Sequence, residues 1–514
     1  MAHYARILNG IWKADLEVLV IGEKRTKPGV SVTEGKPHGL RWWALAVLSL
    51  VQFMLVLDAT VVNVALPPIE RDLGMGAAGL AWVVNGYALT FGGLLLLGGR
   101  LADLFGRRRV FLAGLGVFAS ASAAAGLSFG PETLVASRFL QGAGAALVAP
   151  AALSMVTLLF TEQRERATAL SIWGGLAGLG ATAGVILGGV LSDLASWRWI
   201  FLINLPVAAV ALALVPWLVA ESRSSSGGRG RLDVPGALLV TAGLSLVVFA
   251  LLGKGEAPWV SIAVLVPLVG GLTLVGLFVA VEARTKNPLV PLRFFSRSGT
   301  RSAAYAILML ANGAMMAMYF SLSLYMQQIL GFSPLWAGLA YLPLCAAFFI
   351  GIGASSRLVR RLGARTVITG GLIVAAAGLA LLSGVSADGS YPNDVLPGML
   401  VVPLGAGAAF VATTIAAMEG TGEEDAGLAS GVLSTAQQVG NAVGLAVLVS
   451  LAVDRANGLL SAGADPSVAV TGGFAFAFGA AGGVLATGAL LAFFATRSRV
   501  APWVEGDRPV VELR

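Results

Sequence analysis

Asp58 interrupts the apolar run from Leu57 to Pro67 and is the one carboxylate that falls well inside such a run. A carboxylate in hydrocarbon is costly and faces a cavity or a partner. Burial favours its protonated form and a nearby cation its charged form, so its proton can be made to follow conformation and cargo. Arg138, in the run Arg-Phe-Leu-Gln-Gly-Ala-Gly-Ala-Ala146, is the only base inside an apolar run. Gln141, Gly142, Ala145 and Ala149 follow on its helical face, small enough for a neighbouring helix to approach closely. Two roles are open to Arg138: pairing with Asp58 or holding a relay water, or else anchoring carbonyls and snorkelling to an interface. Asp58 likewise is either a proton carrier or a structural hydrogen-bond partner.

The elements carrying these residues are helices that cross a bilayer. Of 514 residues, 57% are hydrophobic and 12% charged, about half the charge of a soluble domain. The apolar residues come in runs of about 20, enough to span roughly 30 Å of hydrocarbon as helices. Unbroken runs of this kind exclude a β-barrel, whose segments alternate. Fourteen spans are predicted: residues 42–66, 79–99, 110–129, 134–158, 167–190, 199–219, 234–252, 260–281, 303–326, 335–356, 366–385, 395–418, 427–451 and 469–495.

With both tails on the same side, twenty-nine of the 34 lysines and arginines fall on that side. This predicts cytoplasmic termini and a multi-pass protein of the cell membrane. The net charge of +7 is therefore read as orientation, not as nucleic-acid binding. The single Cys345 and two tail histidines, His3 and His38, offer no metal-ligand pair and no imidazole within the membrane. No phosphate loop or other enzyme motif is legible. The expectation is a carrier without cofactor, driven by a proton gradient, and working as a monomer.

The predicted organisation is a cytoplasmic tail (1–41), a six-helix bundle (42–219), a flexible basic linker (220–233), two inserted helices (234–281), a second six-helix bundle (282–495) and a cytoplasmic tail (496–514). An internal echo supports two bundles. Arg100, Leu101, Gly106 and Arg108 recur as Arg357, Leu358, Gly363 and Arg365, and helical transporters are commonly built from such repeats around a central site.

Further candidates sit at helical spacing. The loop Gly99, Arg100, Asp103, Gly106, Arg107, Arg108 and Arg109 sets a carboxylate among cations near two helix ends, either a latch that breaks as the halves rock or a positive-inside anchor. Gly180, Gly184 and Gly188 form a stripe that allows backbone contact. Ser434, Gln437 and Asn441 share a polar face suited to lining a cavity or to bonding between helices. Tyr305, Met309 and Tyr319 give the ninth span adaptable apolar and aromatic surface, suited to a promiscuous pocket. Asn63 and Gln141 complete the candidate cavity set.

Over about Trp42 to Arg497 the chain resembles the major facilitator superfamily, in its fourteen-helix drug/proton antiporter branch. Gly99–Arg109 is similar to the family's loop 2–3 signature, Arg138–Ala146 to its helix 4 motif, Asp58–Pro67 to the branch's helix 1 motif, and Trp197–Pro206 to the start of its helix 6. The resemblance implies an all-α membrane fold, alternating access by two rocking bundles, proton coupling through Asp58 and Arg138, gating through Asp103, and export of lipophilic drugs or antibiotics. Two positions depart from it. Val185 follows Gly184 where the antiporter motif has proline, which keeps a solute symporter open as an alternative beside a non-transporting receptor of the same fold. Helix 13 carries Gln437, Gln438 and Asn441 where some relatives place an acid, which suggests a low proton stoichiometry.

Overall fold

The computed structural model describes residues 38–160, 162–222, 233–253, 258–285, 288–296, 298–419 and 426–496. Most of both expected tails and of the linker lies outside these residues. Among the described residues, fourteen long helices run in chain order. They are α1 (His38–Leu73), α2 (Ala77–Phe105), α3 (Arg107–Gly126), α4 (Pro131–Leu159), α5 (Gln163–Leu194), α6 (Trp199–Leu218) and α7 (Val234–Leu252). After α8 (Ile262–Arg284) come α9 (Gly299–Ile329), α10 (Pro334–Leu362), α11 (Ala364–Leu382), α12 (Tyr391–Ala417), α13 (Ala426–Ser461) and α14 (Pro466–Ala495). Thirteen are long and apolar enough to cross a membrane, and α5 ends in the shorter apolar stretch Thr182–Leu194. No strand occurs among the described residues.

Helix starts follow the local chemistry. Asp233, Ser298, Ser333 and Asp465 accept hydrogen bonds from backbone amides two or three residues on, satisfying donors that a first turn leaves free. The Ser467 hydroxyl and then its amide hold Asp465, which lies just outside α14, below the usual carboxylate range. Gly106 and Gly363, matched in the sequence repeat, each end one helix and begin the next at φ of 107° and 80°. A side chain is strained in that backbone region, so glycine is required at both turns.

Helices α1–α6 pack together, as do α9–α14. Helix α7 lies against α2 and α13 as well as α8. Helix α8 buries only 11% of its apolar stretch, against 72% for α2, so α8 lies at the periphery. The two halves meet along α2 and α13, where Thr435 Oγ1 donates to the Gly92 carbonyl at 3.2 Å, and again at the end where α1 and α9 finish. Ser323 Oγ donates to the Asn63 carbonyl at 2.6 Å and Gln327 Nε2 to that of Val64 at 3.0 Å. Ser333 Oγ on the turn before α10 reaches Asp193 at 3.1 Å. One apolar core runs through this end and joins both halves, whereas the other half of α1–α6 has a core of its own.

A candidate proton site in the N-terminal half

Helix α1 places Asp58, fully buried, opposite Arg138 on α4, which is 1% exposed. Their closest approach is 2.6 Å. Taking both charges out of water costs several kcal/mol each, and the pair is tolerated only if their remaining bonds are filled. Here they are. Asp58 also accepts from Asn204 Nδ2 at 2.8 Å and Gln141 Nε2 at 3.1 Å. Arg138 donates through Nε to the Val83 carbonyl (2.9 Å) and through Nη1 to Gln141 Oε1 (3.0 Å). Its guanidinium lies 4.6 Å from the Tyr87 ring centre and 5.8 Å from that of Phe201, adding cation–π attraction. Ser122 on α3 accepts from Gln141 at 2.7 Å and from Asn204 at 3.3 Å.

The network thus draws on α1, α2, α3, α4 and α6, and α5 supplies its backing. A Cβ at Gly180, Gly184 or Gly188 would lie 3.0, 2.9 or 2.6 Å from the carbonyl oxygens of Phe53, Leu57 and Val61. These carbonyls bracket Asp58, so the stripe is the surface on which this part of α1 rests. Helix α5 is continuous through Val185; a Cβ at Gly338 of α10 would lie 2.8 Å from the Val185 carbonyl. The start of α6 is fixed separately. The Trp197 indole donates to Asp72 at 2.9 Å, and Arg198 bonds both Asp72 and the Ser128 carbonyl. That anchor aims Asn204, less than two turns later, at Asp58.

The loop between α2 and α3 closes on its own half. Asp103 pairs with Arg107 at 3.0 Å. Glu221, just past α6, accepts from the Arg108 and Arg109 amides at 3.2 Å each and lies 3.9 and 3.7 Å from their side chains. An anion at a helix start is stabilised by the free amides there. Arg108 also reaches the Pro216 and Val219 carbonyls, while Arg100 is exposed.

The remaining candidates scatter. Asn63 lies at the seam, donating to the Thr60 carbonyl at 3.2 Å. Tyr305 packs at a tilt on Phe294 and edge-to-face on Phe295, and its hydroxyl donates to the Ala429 carbonyl. Met309 is 37% exposed, and its backbone packs on Gly440. Ser434 and Gln437 are half-buried on α13, and Asn441 makes one long contact of 3.5 Å to Gln438. Tyr319 instead lines a cavity inside the C-terminal half. Ser122, Asn204 and Glu221 have no role in the sequence reading, where Asn204 enters only within the Trp197–Pro206 stretch.

Residues 48–445 match the family model described as Major Facilitator Superfamily. The chain belongs to this superfamily. It is a membrane transporter fold, not an enzyme. A puromycin resistance protein of Streptomyces alboniger is 38% identical over 470 residues, covering 90% of this chain and 93% of that protein. A cephamycin export protein of Amycolatopsis lactamdurans is 41% identical over 410 residues, 79% and 84% of the two chains. A lincomycin resistance protein of Streptomyces lincolnensis is 39% identical, with 80% and 84% covered. Among solved structures, a bacterial homologue of the lysosomal transporter Spinster superposes with a TM-score of 0.64 at 16% identity, covering 90% of this chain and 98% of that one. At that identity the likeness is one of fold.

Proposed function

We propose that this chain exports lipophilic drugs or antibiotics across the cell membrane in exchange for protons, by alternating access and with both termini cytoplasmic. The observation that carries this reading is the buried Asp58–Arg138 pair. While Asp58 is charged, the pair is neutral and satisfied. A proton on Asp58 removes that carboxylate charge and leaves a buried guanidinium uncompensated, which favours a different packing of α1. Helix α1 is suited to transmit this change. It rests on the glycines of α5, and five residues beyond Asp58 the Asn63 carbonyl forms part of the seal with α9. In the proposed orientation that seal is the outer gate, which must part for cargo to leave. One membrane carboxylate in this network suggests one proton per cycle. The printed names of the relatives, resistance and export proteins for puromycin, cephamycin and lincomycin, favour export over uptake.

The test is direction of flux in proteoliposomes under an imposed pH gradient. Antiport moves puromycin or another cargo against the proton flow, and reversing the gradient reverses the cargo. Cargo moving with protons would instead establish symport.

A further inference from the structure

The interior of the C-terminal half holds a cavity of about 150 Å³ bounded by α9, α10, α11, α12 and α14. A dry apolar cavity of this size accepts benzene, so its volume suits one six-membered ring with a small substituent. Phe348 and Phe410 face it with ring centres 6.3 Å apart and planes at 51°, an arrangement that offers both edges and faces to a third ring. Met315 and Met318 add adaptable thioethers. No charged side chain lines it. Its polar lining is Asn312, Tyr319 and Thr413; the Thr413 hydroxyl donates to the Ala409 carbonyl, and Asn312 Nδ2 donates to the Leu308 carbonyl at 2.8 Å. That bond leaves a second amide hydrogen and the side-chain carbonyl for another partner.

We propose that this cavity is a ring subsite: it takes an uncharged, single-ring portion of the transported compound, with Asn312 bonding one polar substituent. The assignment rests on the export reading for its physiological occupant. It also separates two tasks. The ring is held in the half made by α9–α14, and the proton in the half made by α1–α6. Any cationic centre of the cargo stays outside the cavity, because nothing in its lining neutralises charge.

The test uses the purified full chain in nanodiscs, the uncharged photolabel 3-trifluoromethyl-3-phenyldiazirine, and mass-spectrometric mapping, with anisole as competitor. The expected result is label on Met315 and Phe410 that falls at least tenfold with excess anisole and in the cavity-filling variant Ala406→Phe, while label on lipid-facing α8 is unchanged. Asn312→Leu, which keeps the number of side-chain heavy atoms but replaces both polar ones with methyl groups, should raise the anisole concentration needed for competition severalfold. Label on Met315 and Phe410 that anisole and Ala406→Phe leave unchanged, or that falls in step with α8, would overturn the subsite. The labelling needs no proton gradient and should persist in Asp58→Asn combined with Arg138→Gln, in which both buried charges are gone. Transport lost with labelling intact therefore counts against the export reading and not against the ring site.

Discussion

At the scale of single residues, Asp58 and Arg138 hold each other's charge in a buried pair. Removing one member of a buried pair leaves the other charge uncompensated, at about 3–5 kcal/mol. Arg138→Gln is therefore expected to lower the midpoint of thermal unfolding in detergent sharply. Asp58→Asn combined with Arg138→Gln should recover most of that loss, since both charges are gone, without recovering transport. Two single mutants whose losses simply add would show that the residues are not coupled. Asn204→Leu tests the third arm of the network. It removes a 2.8 Å bond to Asp58 and should shift the pH dependence of transport while leaving the fold intact. The types of these residues were legible from the sequence, because a charge in an apolar run is conspicuous. Their meeting was not. Helical periodicity says which side chains share a face of one helix, but not how two helices are rotated against each other, and that rotation brings Ser122 and Asn204 to Asp58.

At the scale of elements, glycine placement decides which helices can approach. Gly184→Leu would drive a side chain into the backbone of α1, where even a Cβ would lie 2.9 Å from the Leu57 carbonyl. Overpacking of this kind costs about 1–3 kcal/mol, and the expected readout is lost transport with reduced thermal stability. Gly276 on the peripheral helix α8 is the control. A Cβ there meets nothing within 4 Å, so Gly276→Ala should be neutral or stabilise by up to about 1 kcal/mol through helix propensity. The loop between α2 and α3 yields a similar prediction. Glu221→Ala removes the acceptor for two amides at the start of α3, and a loss of about 1–2 kcal/mol is expected. The sequence drew attention to Asp103 among the arginines. It concealed Glu221 because that residue is separated from the loop by the whole of α3 to α6.

At the scale of the molecule, the run lengths and the Arg100/Arg357 echo made the helical architecture legible, and the two positive-φ turns at Gly106 and Gly363 give that echo its physical cause. The meeting of the halves was less legible. The bonds from Ser323 and Gln327 go to backbone carbonyls of α1, and any residue type supplies such an acceptor. The same limit divides the aromatic and thioether residues of α9: Met315, Met318 and Tyr319 reach the interior cavity, while Tyr305 and Met309 do other work. The central claim is that the proton and the cargo exchange through Asp58. Its most direct test is proton release from inside-out vesicles with an acidified lumen, on adding cationic dyes and antibiotics, in wild type and Asp58→Asn. The account predicts cargo-triggered proton efflux in the wild type and none in the mutant. Efflux that persists undiminished in Asp58→Asn would contradict it.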